Sequence, residues 1–360
     1  MTHRHQHPLS QRQQLRQRQL LSMPPFGVVA NNKLYWGMGD ATGFTTNIYR
    51  TLLDDPDDWS AGTNGFYSGR TARLFCHDRL NDTLYHSGGQ LHSDKAIYTQ
   101  PEDPVGGTPT SVATLTNWPH IIDCDPTNEL IFAYCSTAGS TGTRVHTAAE
   151  IIKLNYDGSG ETSLESWSIT NDTSWQFGYC QYDLTTDRVY YTKRVCSSSE
   201  STTQLRYTAP DGTGDTLVYT ANGGTFGGFP NGAGQINCIA IDVQNQKLFW
   251  TEFGSTQVGG SLTANARVRR ANMDGSSVSS VYTPQTTNNP PNIRFCQAEQ
   301  KLYVWDTHAS TGKIKRMNGD GSSPETLVDD SGGTDPFNLS KDQRFTLGAD
   351  FEAVGVGAIL

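Results

Sequence analysis

The sequence predicts an all-β chain of repeated four-stranded antiparallel sheets closed into a ring, on three observations. A short aromatic or β-branched segment recurs about every 45–60 residues along the 360-residue chain. Upstream of several copies an apolar stretch ends in an Asp turn, and downstream an Asp-Gly turn joins two further short segments. No helical periodicity of apolar positions separates the copies. One such sheet cannot bury both of its faces alone. Sheets packed face to face around an axis can, and the result is a β-propeller.

The recurring segments read as second strands: Lys33-Leu34-Tyr35-Trp36, Thr83-Leu84-Tyr85-His86, Leu130-Ile131-Phe132-Ala133, Arg188-Val189-Tyr190-Tyr191, Lys247-Leu248-Phe249-Trp250, Lys301-Leu302-Tyr303-Val304 and a fainter Arg344-Phe345-Thr346-Leu347. Each is bounded by turn residues, which is strand grammar. First strands precede them, as in Ile122-Asp123-Cys124-Asp125-Pro126, Cys180-Gln181-Tyr182-Asp183 and Ile239-Ala240-Ile241-Asp242. Third strands follow and end in Asn155-Tyr156-Asp157-Gly158-Ser159, Asn272-Met273-Asp274-Gly275-Ser276 and Asn318-Gly319-Asp320-Gly321-Ser322. Asp-Gly supplies the positive φ of a tight hairpin, and a fourth strand such as Ser280-Val281-Tyr282-Thr283 completes the unit. Seven second-strand segments imply seven blades, with a last unit at 336–360 and residues 19–24 supplying its fourth strand. The alternative is a six-bladed ring in which the Arg344 segment only closes the circle. Residues 1–25 form an arm and 26–360 a single propeller domain.

The unit resembles the YWTD repeat of the lipoprotein-receptor propellers. Lys247-Leu248-Phe249-Trp250-Thr251-Glu252 and the later Arg270-Ala271-Asn272-Met273-Asp274-Gly275-Ser276 carry the resemblance best, and it extends over about residues 26–330. It implies six blades, and it implies that the acid at the fourth position, kept as Glu252 and Asp306, links blades. That acid is missing after Leu84 and after Tyr190, which bears on stability rather than function.

Composition narrows the class. Charged residues are 18% of the chain, below the usual quarter, because short strands separated by Gly, Ser, Thr and Asn turns leave few places for them. The net charge of −9 divides into +5 over residues 1–35, which hold Arg4, Arg12, Arg16, Arg18 and Lys33, and −14 over the rest. An acidic ring disfavours nucleic acid, which is held by neutralising its phosphates. No apolar run approaches the roughly 20 residues of a membrane-spanning helix. The basic arm reads as a docking segment through those four arginines, as a transit peptide, or as a solvated tail.

Seven cysteines occur, Cys76, Cys124, Cys135, Cys180, Cys196, Cys238 and Cys296, with no CxxC pair, so zinc-ribbon and thioredoxin readings fail. Most precede a predicted second strand, where a small buried thiol fits. Cys180 and Cys196, on adjacent predicted strands, are the pair for which a disulfide is the alternative.

Strand alternation puts the fourth-to-first and second-to-third connections on one face, and the sequence makes these long: 37–46, 136–150, 170–178, 196–203, 223–235 and 253–266. Turns on the other face are minimal. Elaborated loops on a rigid scaffold are where binding resides, so Phe44, Trp118, His120, Trp175, Phe226, Phe229 and His308 are the candidate partner contacts. On the short-turn face, Asp54, Asp55, Asp57 and Asp58 could supply oxygen ligands to Ca²⁺, but the spacing fits no EF-hand and a solvated acidic loop is the favoured reading. Catalytic signatures are missing: there is no GxSxG, no HExxH and no P-loop. His77, Asp78, His120 and Asp123 lie on predicted inner strands, where an axial-pore enzyme of lactonase or polysaccharide-lyase type would place its groups. Asn81, Asn171 and Asn338 begin glycosylation sequons. The expectation is a non-catalytic binding or scaffold propeller without a cofactor. Its setting would be an extracellular or virion-type assembly with protein partners, or a receptor-like module.

Overall fold

The computed structural model describes residues 33–347 apart from 40–44, 53–64, 69–74, 79–80, 82, 88–94, 102–108, 139–145, 173–177, 197–200, 223–235, 253–254, 257–261, 265, 285–291, 298, 308–311 and 330–344; some of the rest are described by backbone alone. All regular structure among them is strand. Among the described residues no helix is long and apolar enough to cross a membrane. Five blades share one plan. The first is β4 (Phe75–Asp78), β5 (Thr83–Ser87), β6 (Ala96–Pro101) and β7 (Thr110–Thr114); the second is β8 (Trp118–Asp125), β9 (Leu130–Ala138), β10 (His146–Asn155) and β11 (Thr162–Asp172). Next come β12 (Cys180–Asp183), β13 (Arg188–Cys196), β14 (Ser201–Thr208) and β15 (Thr216–Asn222). The fourth is β16 (Ile236–Asp242), β17 (Lys247–Glu252), β20 (Arg267–Asn272) and β21 (Ser279–Tyr282), with a small side hairpin of β18 (Ser255–Thr256) and β19 (Leu262–Ala264). The fifth is β22 (Asn292–Cys296), β23 (Lys301–Thr307), β24 (Gly312–Asn318) and β25 (Glu325–Asp329).

A further four-stranded sheet is built from β1 (Lys33–Gly39), β2 (Thr45–Leu52), β3 (Gly65–Ser68) and β26 (Phe345–Leu347), in the order β26-β1-β2-β3. The segment expected to found a seventh unit instead pairs antiparallel with β1, Leu347 opposite Leu34. The rest of that expected unit and residues 19–24 lie outside the described residues. The inner strands pack in succession, β4 on β8, β8 on β12, β12 on β16, β16 on β22, β22 on β26 and β26 on β4.

The core lies between sheets because the second strands are apolar on both faces. Phe132, Val189, Tyr190, Tyr191, Leu248, Phe249, Trp250, Leu302 and Tyr303 are fully buried. Two second-strand aromatics meet the inner strand of the next blade: Phe132 stacks on Tyr182 at 4.8 Å and Phe249 on Phe295 at 5.3 Å. Such rings bury large area and gain from offset stacking.

Two turn devices repeat. At the end of the inner strand in four of the five blades a buried Asp caps the hairpin. Asp242 accepts from Asn245 N at 3.0 Å and Asn245 Nδ2 at 2.9 Å, Asp78 and Asp125 do the same for Asn81 and Asn128, and Asp183 accepts from Thr185 N and Oγ1 and from Thr186 Oγ1. In the fifth blade Cys296 occupies that place, its sulfur accepting from Glu299 N at 3.3 Å. The second device is the third-to-fourth hairpin. In Asn272–Ser276, Asn272 N bonds Ser276 O, Gly275 N bonds Asn272 O, and Asp274 accepts from Ser276 N and Oγ. Gly275 has φ +84°, and a Cβ there would lie 2.1 Å from Val218 O in the preceding blade. Only glycine satisfies both the turn and this approach. Lys153 Nζ to Pro210 O (2.6 Å) and Arg270 Nη1 to Gly319 O (3.1 Å) tie a third strand to the next blade's hairpin.

The expected long loops are shorter than they read. β9 runs on to Ala138 and β10 starts at His146, so strand replaces much of 136–150, and β11 likewise extends to Asp172. Polar Ser, Thr and Ala positions that read as loop are carried into strand by pairing with a long neighbour. Within 253–266 the chain folds back as the β18–β19 hairpin.

Candidate functional site

The inner strands converge on the axis, so their alternate residues decide what the centre of the ring can do. Counting back two residues from the turn position gives Cys76, Asp123, Gln181, Ala240 and Arg294. Asp123 does not stand free: Oδ2 accepts from Tyr182 N of the next blade at 2.7 Å and Oδ1 from Cys124 N at 2.9 Å. Asp78 is fully buried in its turn, accepting from Asn81 N and Nδ2. Arg294 reaches across one intervening blade. Its guanidinium lies 5.1 Å from the ring of Tyr179, just ahead of β12, and donates to Ile293 O at 3.1 Å. It also touches Cys238 Sγ at 3.6 Å. An arginine held on an aromatic face at the axis is a fixed positive charge.

His120 and Trp118 are the two loop-face candidates among the described residues. His120 is the extra residue of a bulge in the β8–β9 pairing, between Pro119 opposite Cys135 and Ile121 opposite Tyr134. It is buried, with Nε2 2.5 Å from Ser136 Oγ and its ring 6.3 Å from that of Tyr134. The same bulge falls between Ile236 and Cys238 of β16, so it belongs to the blade framework. Trp118 is half-buried at the entry to β8, with Lys95 Nζ of the preceding blade 5.1 Å from its ring. Beside it Asn117 Nδ2 donates to Glu150 Oε1, and Lys95 Nζ to Thr116 O at 2.5 Å. Phe44, Trp175, Phe226, Phe229 and His308, arginines 4, 12, 16 and 18 of the arm, and Asp54, Asp55, Asp57 and Asp58 lie outside the described residues, as does the His77 side chain. Among the described residues no group of three or more His, Cys, Asp or Glu side chains is placed to hold a metal ion.

The acids at the ends of second strands have structural partners. Glu252 accepts from Trp250 Nε1 at 2.9 Å and pairs with Arg267 at 2.8 Å. Asp306 accepts from Tyr282 Oη of the preceding blade at 2.6 Å, and burial together with that bond pushes the Tyr282 phenol up. Asn81, first of the sequons, uses its Nδ2 in the Asp78 turn, so a glycan there would compete with a buried carboxylate's bond. The Cys180–Cys196 disulfide is excluded by register. Tyr191 stands opposite Cys180, and Cys196 lies five residues further along β13, about 16 Å at strand rise. Cys180 Sγ instead lies against Ile121 O and Phe132 O of the preceding blade.

No protein-family model matches the chain. Among solved structures, a propeller chain of a nidogen/laminin complex aligns with TM-score 0.59 at 14% identity, over 89% of this chain and 99% of that one. TolB from Acinetobacter baumannii aligns with TM-score 0.51 at 14% identity, over 83% and 63%. A candidate 6-phosphogluconolactonase from Bacteroides fragilis aligns with TM-score 0.53 at 9% identity, over 89% and 100%. At these identities the likeness is one of fold: the chain is a β-propeller. Other propellers of this kind include both binding proteins and enzymes, so the shared fold leaves either function open.

Proposed function

We propose that this propeller is a binding scaffold rather than a catalyst, presenting partner contacts on the connections of its long-loop face and on the basic arm, within an extracellular or virion-type protein assembly. The observation that carries this reading is how the polar groups of the inner strands are used. Asp78 closes a turn, Asp123 bonds the next blade's backbone, His120 bonds Ser136, and Arg294 lies on Tyr179. Groups an axial enzyme would employ are here engaged in turns, strand pairs and joints between blades, and this reading leaves partner recognition to the loops. The nidogen/laminin complex is an instance of the fold within a protein–protein complex. Trp118, Phe44, Trp175, Phe226, Phe229 and His308 are the contacts we assign to the partner, with Arg4, Arg12, Arg16 and Arg18 as the electrostatic contribution of the arm.

We further read the ring as six-bladed and of the YWTD type. Support comes from the succession of inner strands through β26 back to β4, from Tyr282–Asp306 as an acid-centred link between blades, and from the repeated Asp-Gly-Ser hairpins.

Cross-linking mass spectrometry on the protein in its native assembly tests the function. Links from loop-face segments or residues 1–25 to another polypeptide are expected. A protein that is monomeric in its source and turns over a lactone or a glycan would overturn the reading in favour of a lactonase- or lyase-type enzyme.

A further inference from the structure

At the joint between the inner strands β8 and β12 a short side chain bridges the two blades, and at the preceding joint, between β4 and β8, sulfur takes its place. In the second and third blades the bridge is Asp123, two residues before its turn, bonding the backbone of Tyr182, one residue before the next turn. The equivalent positions one joint earlier are Cys76 and Cys124. They lie on strands that pack directly against each other, and Cys124 is among the groups that raise the Cys76 pKa. Both are buried, at 4% and 9% exposure, in one apolar cluster with Tyr85, Ile122 and Leu154, and neither is disulfide-bonded. At the homologous joint a carboxylate plus one hydrogen bond spans the gap, so the two backbones stand close enough for a bridge of side-chain length.

We propose that Cys76 and Cys124 are a disulfide-forming pair that staples the first described blade to the second when the chain matures in an oxidising compartment. The oxidant is a small-molecule disulfide of the glutathione type. One cysteine thiolate attacks a sulfur of that disulfide and releases one glutathione thiolate, which takes up a proton. The second cysteine then attacks the protein sulfur of the mixed disulfide, releasing the second glutathione. Two protein thiols are oxidised and one glutathione disulfide is reduced to two thiols. Burial holds the Cys76 thiol well above the usual range, so the finished ring exchanges slowly and the bond forms while the joint is open, during folding. The closed loop spans residues 76–124, and cross-linking a loop of this length constrains the unfolded chain strongly.

The test uses the full chain refolded in glutathione redox buffer, denatured, alkylated and weighed intact, with peptide mapping. Five alkylated cysteines of seven and a Cys76–Cys124 linked peptide are expected, as is a melting temperature about 5 °C or more above that of the reduced protein. Cys124→Ala should then carry six alkylated thiols and show no redox-dependent melting shift. Seven alkylated thiols in the wild-type chain, or a linked peptide joining any other pair, would overturn the proposal. Because the wild-type chain decides the outcome, a poorly folding variant does not weaken the test.

Discussion

Gly275 and Gly214 both sit at positive φ in hairpins, yet the structure gives them different burdens. A Cβ on Gly214 meets nothing within 4 Å, whereas on Gly275 it meets Val218 O at 2.1 Å. Gly214→Ala should therefore cost about 1 kcal/mol, the backbone term alone. Gly275→Ala should cost about 3 kcal/mol or more, because a fixed carbonyl of another blade has to move. Urea denaturation of the two variants checks the difference; equal losses would contradict the joint. The positive φ was legible in the Asp-Gly pair. The contact was not, since it depends on a carbonyl in an outer strand more than fifty residues earlier in the chain.

The same hairpins set an acid limit. Asp157, Asp274 and Asp320 are held below the ordinary carboxylate value by the hydroxyls and backbone N–H groups of Ser159, Ser276 and Ser322, and Asp211 by Thr213. Folded values below unfolded ones mean that the contribution is fully present above about pH 4 and is lost as pH falls through the folded values. Melting temperature should drop below pH 4. Replacing Ser159, Ser276 and Ser322 together by alanine should flatten that drop, and an unchanged pH profile would show that the serines do not hold these carboxylates.

Among the elements, the second strands carry the ring. Phe249 is fully buried and stacked on Phe295 of the next blade. Phe249→Ala is expected to cost about 3–5 kcal/mol, while Leu217→Ala, at a residue 48% exposed, should change stability by no more than about 0.5 kcal/mol. These strands were the most legible part of the sequence, because a run of aromatic and β-branched residues between turn signals has few other readings. Loop lengths were misread for a physical reason. Ser and Ala at 136, 138, 148 and 149 have no strong strand preference of their own, and pairing of β9 with β10 carries them into strand. The acids Glu252 and Asp306 could be picked out as an end-of-strand feature, but their partners Arg267 and Tyr282 could not.

At the scale of the molecule, the repeat announced a propeller and left its closure ambiguous, since a lone Phe345–Leu347 segment serves equally as a blade's second strand or as the inner strand of the sheet that holds β1, β2 and β3. Pairing with β1 is the second of these. Removing residues 344–360 should then lower the melting temperature and loosen β1, whereas removing residues 1–25 should leave thermal stability unchanged. The reverse pattern would favour the seven-bladed reading, in which the arm closes the ring. As for function, charge division and loop asymmetry were visible from the start, but which inner-strand polar groups are joints was not. Asp123 and His120 look alike in sequence whether they bond a neighbouring blade or face a substrate.

The division of labour between a structural ring and a binding face is tested most directly by hydrogen exchange, comparing the isolated protein with the same protein in its native assembly. New protection should be confined to the long-loop face, including 139–145, 173–177 and 223–235, and to residues 1–25. Protection gained instead at the hairpins around Gly158, Gly212, Gly275 and Gly321, or none anywhere, would contradict it.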